Sequence, residues 1–257
     1  MAIHKYIMLL TYNRPFLNFD HHLDIDGLLE IKPYISAFIA KNHHLLKPTK
    51  FQSDWDFFHM ENPPPGVNDY LTKFRANPDI ILDPNLREIV TNLLNCDQYG
   101  SYIVFEQDVL WGTFSMAIRY SKDYMTKHRA AECTAQLEDK QFAFFYEWLD
   151  KQAIFNEYGR VNLFINYQGS NGPTHRDYPD ASQPNQDEFI LINFNPNNKK
   201  LFVIDNDTNE KIYISGYCNW FNTSNLHGSD PAPQACYSLR VDGVFSEEFK
   251  QRTMLNL

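Results

Sequence analysis

Residues 161–177 read VNLFINYQGSNGPTHRD. The run VNLFINY is rich in β-branched and aromatic residues, the composition of a strand. The cluster GSNGP that follows carries turn chemistry. Beyond it, His175 and Asp177 stand two residues apart, and in an extended chain such a pair points to one side. Downstream the same rhythm repeats. FILINF (189–194), LFVID (201–205), KIYI (211–214), CNWFN (218–222) and CYSLRVDGVF (236–245) are short β-rich runs. The clusters NPNNKK, NDTNE, SG and, after His227, GSDPAP separate them. Short strands at close spacing predict a small antiparallel sandwich or barrel.

Upstream the pattern is mixed. Residues 27–42 have helical apolar spacing, interrupted by Pro33. Residues 84–95 open on Pro84 and continue at helical spacing, and 137–150 is the clearest helix. Segments 101–108 and 111–120 read as strands, and the prolines of 61–69 as a loop. The expectation is one α+β, mainly β domain over 1–257, with a mixed support region at 1–157, a β core at 158–247, and the helices packed outside.

A chain of 257 residues that is 43% hydrophobic and 15% aromatic can bury a sizeable core. The net charge of −9 repels phosphate backbones and disfavours a nucleic-acid partner. Cys96, Cys133, Cys218 and Cys236 form no CxxC pair and read as reduced thiols, with a Cys218–Cys236 disulfide as the alternative. No apolar run is long enough to span a bilayer, and the N-terminus lacks a signal-peptide pattern, so the expected location is the cytoplasm.

An HxD pair is common by chance: His22-Leu23-Asp24 is a second one, and His59-Met60-Glu61 a looser variant. The His175 pair differs in context. It follows a strand and a Gly/Pro turn, and His227 stands fifty residues later within the β-rich half. Two imidazoles and a carboxylate can hold one face of a non-haem Fe(II) ion and leave sites open. Arg240 follows in CYSLRVDGVF, sharing a strand face with Ser238 and Cys236. A buried guanidinium there needs an anion, and its planar fork suits a carboxylate.

The order strand, HxD, several strands, His, then Arg resembles the Fe(II)/2-oxoglutarate-dependent oxygenase superfamily over roughly 158–247. LFINYQGSNGPTHRD and WFNTSNLHGSDP carry the local likeness. The resemblance implies a double-stranded β-helix of jelly-roll, cupin-like type, with iron at one mouth. It implies His175, Asp177 and His227 as iron ligands and Arg240 as the anchor of 2-oxoglutarate. Tyr167 is implied as a hydroxyl donor to that co-substrate, with Asn193 a weaker candidate. Members often carry Ser or Thr two residues after the arginine. Here that position is Asp242, which must turn away or pair with Arg240, and Ser238 then supplies the hydroxyl from the other side.

The implied reaction is a dioxygenase reaction with Fe(II), 2-oxoglutarate and O2, releasing succinate and CO2 and hydroxylating a C–H bond. The carboxylate ligand favours hydroxylation or desaturation over halogenation. The acidic chain suits a small molecule, an amino acid or a peptide. Segment 178–188 is a candidate lid. Trp111, Arg119, Tyr158 and Arg176 could line a pocket, although structural or surface roles suit each of them better. The competing readings are a nucleic-acid oxidative demethylase, a non-catalytic cupin-like binding protein, and a zinc hydrolase. Arg240 argues against the last two.

Overall fold

The computed structural model describes residues 14–42, 47–48, 77, 79, 87, 104–106, 109–111, 114–121, 126–135, 142–177 and 187–254. In chain order the strands are β1 (Phe16–Asn18), β2 (Lys47–Pro48), β3 (Val104–Glu106), β4 (Val109–Trp111), β5 (Phe114–Ser121) and β6 (Cys133–Ala135). Then come β7 (Phe155–Asn166), β8 (Ser170–His175), β9 (Glu188–Asn193), β10 (Lys200–Ile204) and β11 (Lys211–Tyr213). The last three are β12 (Cys218–Phe221), β13 (His227–Asp230) and β14 (Cys236–Phe245). The α-helices are α1 (Ile25–Asn42), α2 (Ala143–Lys151) and α3 (Glu247–Met254).

Two sheets form. The larger has the order β1-β12-β9-β14-β7-β5-β2, with β6 paired to β5; the smaller is β11-β10-β13-β8-β4-β3. From β7 the chain passes back and forth between them: β7, β9, β12 and β14 lie in the larger sheet, and β8, the hairpin β10–β11, and β13 in the smaller. This alternation winds a double-stranded β-helix, the jelly-roll architecture. All described pairings are antiparallel apart from β4 with β8.

The two faces of β14 have separate duties. Its odd residues face the helices. Tyr237 donates its hydroxyl to the Lys32 carbonyl of α1 at 3.3 Å, Leu239 and Val241 are fully buried, and Phe245 packs against Phe249 of α3. Its even residues, Ser238, Arg240 and Asp242, are buried on the opposite face. A central strand covered on both sides cannot show simple alternation of polar and apolar residues.

The helices bury stripes. Leu28, Ile31, Ile35 and Phe38 of α1 repeat at helical spacing, as do Phe145, Trp148 and Leu149 of α2. Phe38 meets Phe142 edge-on at 4.6 Å, and Trp148 Nε1 donates to the Asp24 carbonyl at 2.8 Å. Helix α1 runs through Pro33 without ending there, which corrects the expected interruption. A proline costs a helix one hydrogen bond, and here the stripe on either side is buried in the common core. The N-terminal region also adds strands: β1 extends the larger sheet beside β12, and β5 pairs with β7.

The runs FILINF, LFVID, KIYI, CNWFN and CYSLRVDGVF are β9, β10, β11, β12 and β14. The cluster GSNGP departs from its expected turn, because most of it lies in β8. Pairing with β13 on one side and β4 on the other overrides the weak local propensity. The actual turn is at Gly169, whose φ of +79° suits glycine. Helix 84–95 and loop 61–69 lie outside the described residues except for Arg87. Cys218 and Cys236 are separate buried thiols, so the alternative disulfide does not form.

Phe245 sits at the junction of the sheet with α3, 5.3 Å from Phe155, 6.2 Å from Phe19 and 5.1 Å from Phe249 between ring centroids. Phe245→Ala is expected to cost about 3–5 kcal/mol, read as a lowered midpoint in urea unfolding with an unchanged slope.

Candidate metal centre

Antiparallel pairing of β13 with β8 sets His227 directly opposite His175. The two imidazoles lie with ring centroids 4.4 Å apart, tilted by 55°. Asp177 is placed differently from the sequence expectation. It lies in a bend just beyond β8, and its backbone N–H donates to the Thr223 carbonyl at 3.0 Å. The loop between β12 and β13 therefore positions the carboxylate. Asp177 Oδ1 is 3.5 Å from His175 Nε2 and 3.6 Å from His227 Nε2.

One donor atom from each of the three residues lies within 4.8 Å of the other two. The Asp177 separations are long for good hydrogen bonds and are close to those of donors sharing one ion. His227 Nδ1–H donates to the Asn225 carbonyl at 2.9 Å, since a carbonyl can only accept. That bond fixes the tautomer and turns the Nε2 lone pair toward Asp177. Asn206 Nδ2 in turn holds Asn225 Oδ1 at 2.7 Å, and the Phe221 ring packs 5.0 Å from the His227 ring.

Electrostatics favour a metal-ready state. Burial pushes the Asp177 carboxyl up, but His175, His227 and Arg240 together hold it well below the usual range. Burial and the neighbouring His175 lower His227 against the opposing pull of Asp177. An anionic carboxylate beside a neutral imidazole is what a divalent cation requires.

Arg240 lies where its strand face meets this group. Nη1 is 3.3 Å from Asp177 Oδ2, Nε and Nη2 are each 3.0 Å from Asp242 Oδ1, and Nη2 is 3.5 Å from Asp187 Oδ2. The guanidinium carbon stands 3.9 Å from the Phe189 ring centroid. Asp242 therefore pairs with Arg240, the second of the two outcomes its sequence position allowed. It also accepts from Arg160 Nε at 2.8 Å, with Lys127 Nζ at 3.8 Å. Burial raises the Asp242 carboxyl, but Arg160, Arg240 and Lys127 overcome that and hold it at about 2. Lys127 is 2.5 Å from Asp187. Its pKa is lowered to about 8 by burial and then Arg240, against Asp242 and Asp187.

The remaining candidates divide. Tyr167 is buried just past β7. Ser238 accepts a hydrogen bond from Lys199 Nζ at 2.7 Å. Asn193 is the cross-strand partner of Ser238, and its Oδ1 accepts the Asn195 N–H at 3.1 Å. Arg119 lies over the Tyr158 ring at 5.7 Å, and the Tyr158 hydroxyl donates to Asp150 of α2 at 3.3 Å, which are structural contacts. Trp111 ends β4, and Arg176 stands between the candidate ligands His175 and Asp177. Of the second HxD, Asp24 caps α1 by accepting the Gly27 N–H at 2.9 Å; His59 lies outside the described residues. So does most of the candidate lid, apart from Asp187 and Glu188. Lys127, Arg160, Asp187 and Lys199 escaped the sequence reading, because no spacing in a charged surface-like segment tells which lysine turns inward.

The sequence matches no protein-family profile and no curated protein. Solved structures similar to this chain include a 2OG-Fe(II) oxygenase family oxidoreductase from Burkholderia pseudomallei, at 12% identity and TM-score 0.36, covering 71% of this chain and 92% of that one. A putative 2OG-Fe(II) oxygenase family protein from Caulobacter crescentus is 10% identical with TM-score 0.41, covering 95% and 82%. A prolyl-4-hydroxylase from Pseudomonas putida is 13% identical with TM-score 0.30, covering 83% and 98%.

Two variants test this centre. Asp242→Asn leaves buried cations uncompensated and is expected to cost about 3 kcal/mol at neutral pH, measured by urea unfolding. The Asp242 contribution is complete above its ordinary value of 3.8 and is lost as pH falls toward about 2. Acid unfolding over that window should therefore be shallower in the variant. His227→Ala should keep the far-UV spectrum and abolish one-to-one uptake of Co(II), followed by its visible absorbance.

Proposed function

We propose that this protein is an Fe(II)- and 2-oxoglutarate-dependent dioxygenase that hydroxylates a small molecule, an amino acid or a peptidyl residue. The observation that supports this most directly is the convergence of His175, Asp177 and His227, with their donor atoms within 4.8 Å of one another, beside a buried guanidinium. A two-imidazole, one-carboxylate face suits non-haem iron(II) and leaves positions for a co-substrate and O2. Iron bound there would supply the oxidising chemistry that couples decarboxylation of 2-oxoglutarate, to succinate and CO2, with oxidation of a C–H bond.

The chain's own residues then have three tasks. His175, His227 and Asp177 hold the ion, and the Asn225 carbonyl keeps His227 in the ligating tautomer. The Thr223 carbonyl and Arg240 hold Asp177 from its backbone and from Oδ2 respectively, so Oδ1 remains available. The packed aromatic wall of Phe189 and Phe221, 5.2 Å apart, limits water around the charged row. Arg240 is the anion anchor implied by the sequence resemblance, and Lys199, from the loop before β10, is another buried cation that donates to Ser238 on the same face of β14. Tyr167 and Asn193 are further candidates for polar contact with the co-substrate. The Asp177 ligand favours hydroxylation or desaturation over halogenation.

The test is anaerobic titration of the Fe(II)-loaded protein with 2-oxoglutarate. A new visible absorption band, and O2-dependent release of succinate that disappears in His175→Ala, are the expected results. No band and no succinate would return the chain to a metal- or ligand-binding role without turnover.

A further inference from the structure

Four large hydrophobic side chains stand exposed among the described residues: Tyr34, Tyr120, Phe144 and Tyr213. Two of them meet. Tyr34 of α1 and Phe144 of α2 stack with ring centroids 4.9 Å apart and a tilt of 24°, yet remain 54% and 55% exposed. Single exposed hydrophobics are ordinary, whereas a stacked pair forms the centre of a patch. The patch extends along α1. Leu28, Ile31, Ile35 and Phe38 bury one side of that helix. Glu30, Pro33, Tyr34, Ala37, Ala40 and Lys41 are exposed on the other. Their spacing of three and four residues makes them one stripe.

The charges on this stripe are unpaired. Glu30 and Lys41 have no ion pair among the described residues. One helical turn away, Glu30 has Asp26, Gly27, Pro33 and Tyr34 as neighbours, and Lys41 has Ala37 and Phe38 on its N-terminal side. None of these offers an opposite charge. On α2, by contrast, Glu147 and Lys151 pair at 2.8 Å. The order along the stripe is acid, aromatic, small residue, base, and that order is self-complementary. A two-fold axis crossing α1 between Ile35 and Ser36 sets Glu30 against the partner's Lys41 and Tyr34 against the partner's Ala37. The symmetry makes each contact twice. The small side chain of Ala37 lets two helices approach closely enough for the ring to seat.

We propose that the exposed face of α1, with Phe144 behind it, docks a second copy of this chain as an antiparallel two-fold dimer. The 18 residues of α1 span about 27 Å. One such face is at the small end of specific interfaces, so the dimer forms at micromolar concentration. Phe144 widens the apolar centre by backing the Tyr34 ring, and the Glu30–Lys41 pairs at either end fix the register. The dimer leaves the candidate metal centre untouched. Helix α1 covers the face of β14 that carries Tyr237, whereas Arg240 and Asp242 are buried on the opposite face.

The experiment is sedimentation velocity of the full chain over a concentration series through the micromolar range. Wild type should pass from monomer to dimer. Tyr34→Glu, at an exposed position, should keep the far-UV spectrum and weaken self-association about thirtyfold or more. Glu30→Lys and Lys41→Glu should each weaken it roughly tenfold, since two attractions become two repulsions. An equimolar mixture of these two variants should restore the dimer, because in the mixed pair every charge on the stripe again faces its opposite. Contacts within one copy cannot give that rescue. If wild type stays monomeric throughout, the proposal is wrong, and the face is covered by another part of the chain or by a different protein. If Tyr34→Glu dimerises as tightly as wild type, the interface lies elsewhere. If the mixture associates no better than either variant alone, the antiparallel register is wrong.

Discussion

The pairing of His227 with His175 across β13 and β8 is the constraint on which the candidate site depends. Two side chains fifty-two residues apart in the chain share one strand-to-strand step. Neither strand has strong local propensity. His227-Gly-Ser-Asp and the Ser-Asn-Gly-Pro-Thr-His segment of β8 are held in the sheet by their neighbours β10 and β4. A register slip would separate the two imidazoles and move Asp177 away from the Thr223 carbonyl. The geometry of the candidate ligands thus rests on tertiary pairing, and the hydrogen bond from His227 to Asn225 only refines it.

The charged row beside the candidate ligands is balanced as a unit. Asp242 faces Arg160, Arg240 and Lys127, and Asp187 faces Lys127 and Arg240. Burial penalises every one of these charges. Asp242 stays ionised because it lies against three cations, whereas Lys127 is driven down by burial and by Arg240. Asp242, which had to turn away or pair with Arg240, pairs with Arg240 and Arg160. The lysine left outside this balance is Lys199.

The sequence was most informative where strand chemistry and local pattern agreed. CYSLRVDGVF coincides with β14 from Cys236 to Phe245, and FILINF contains the whole of β9 apart from Glu188. The metal candidates were legible because only one of the two HxD pairs lies in the β-rich half, with a histidine further along it. The remainder was hidden for physical reasons. β8 has turn composition and is a strand only through its partners. Pro33 sits inside a helix because flanking side chains bury a common stripe. The inward turn of Lys199, at the end of NPNNKK, depends on Ser238 waiting on another sheet. Asp177 was expected to share a strand face with His175 and instead hangs from a loop carbonyl.

The double duty of β14 has a consequence for how such a chain can vary over generations. Its odd residues anchor the helical layer and its even residues carry the charged row, so inserting or deleting one residue within it would exchange the two sets at a stroke. Inherited change in this strand is confined to substitution at fixed positions. The exposed residues 233–235 before it can vary in number more readily, whereas Ser246 behind it is tied to Ala153 and Phe249, so novelty should accumulate at one rim while the wall stays constant in length.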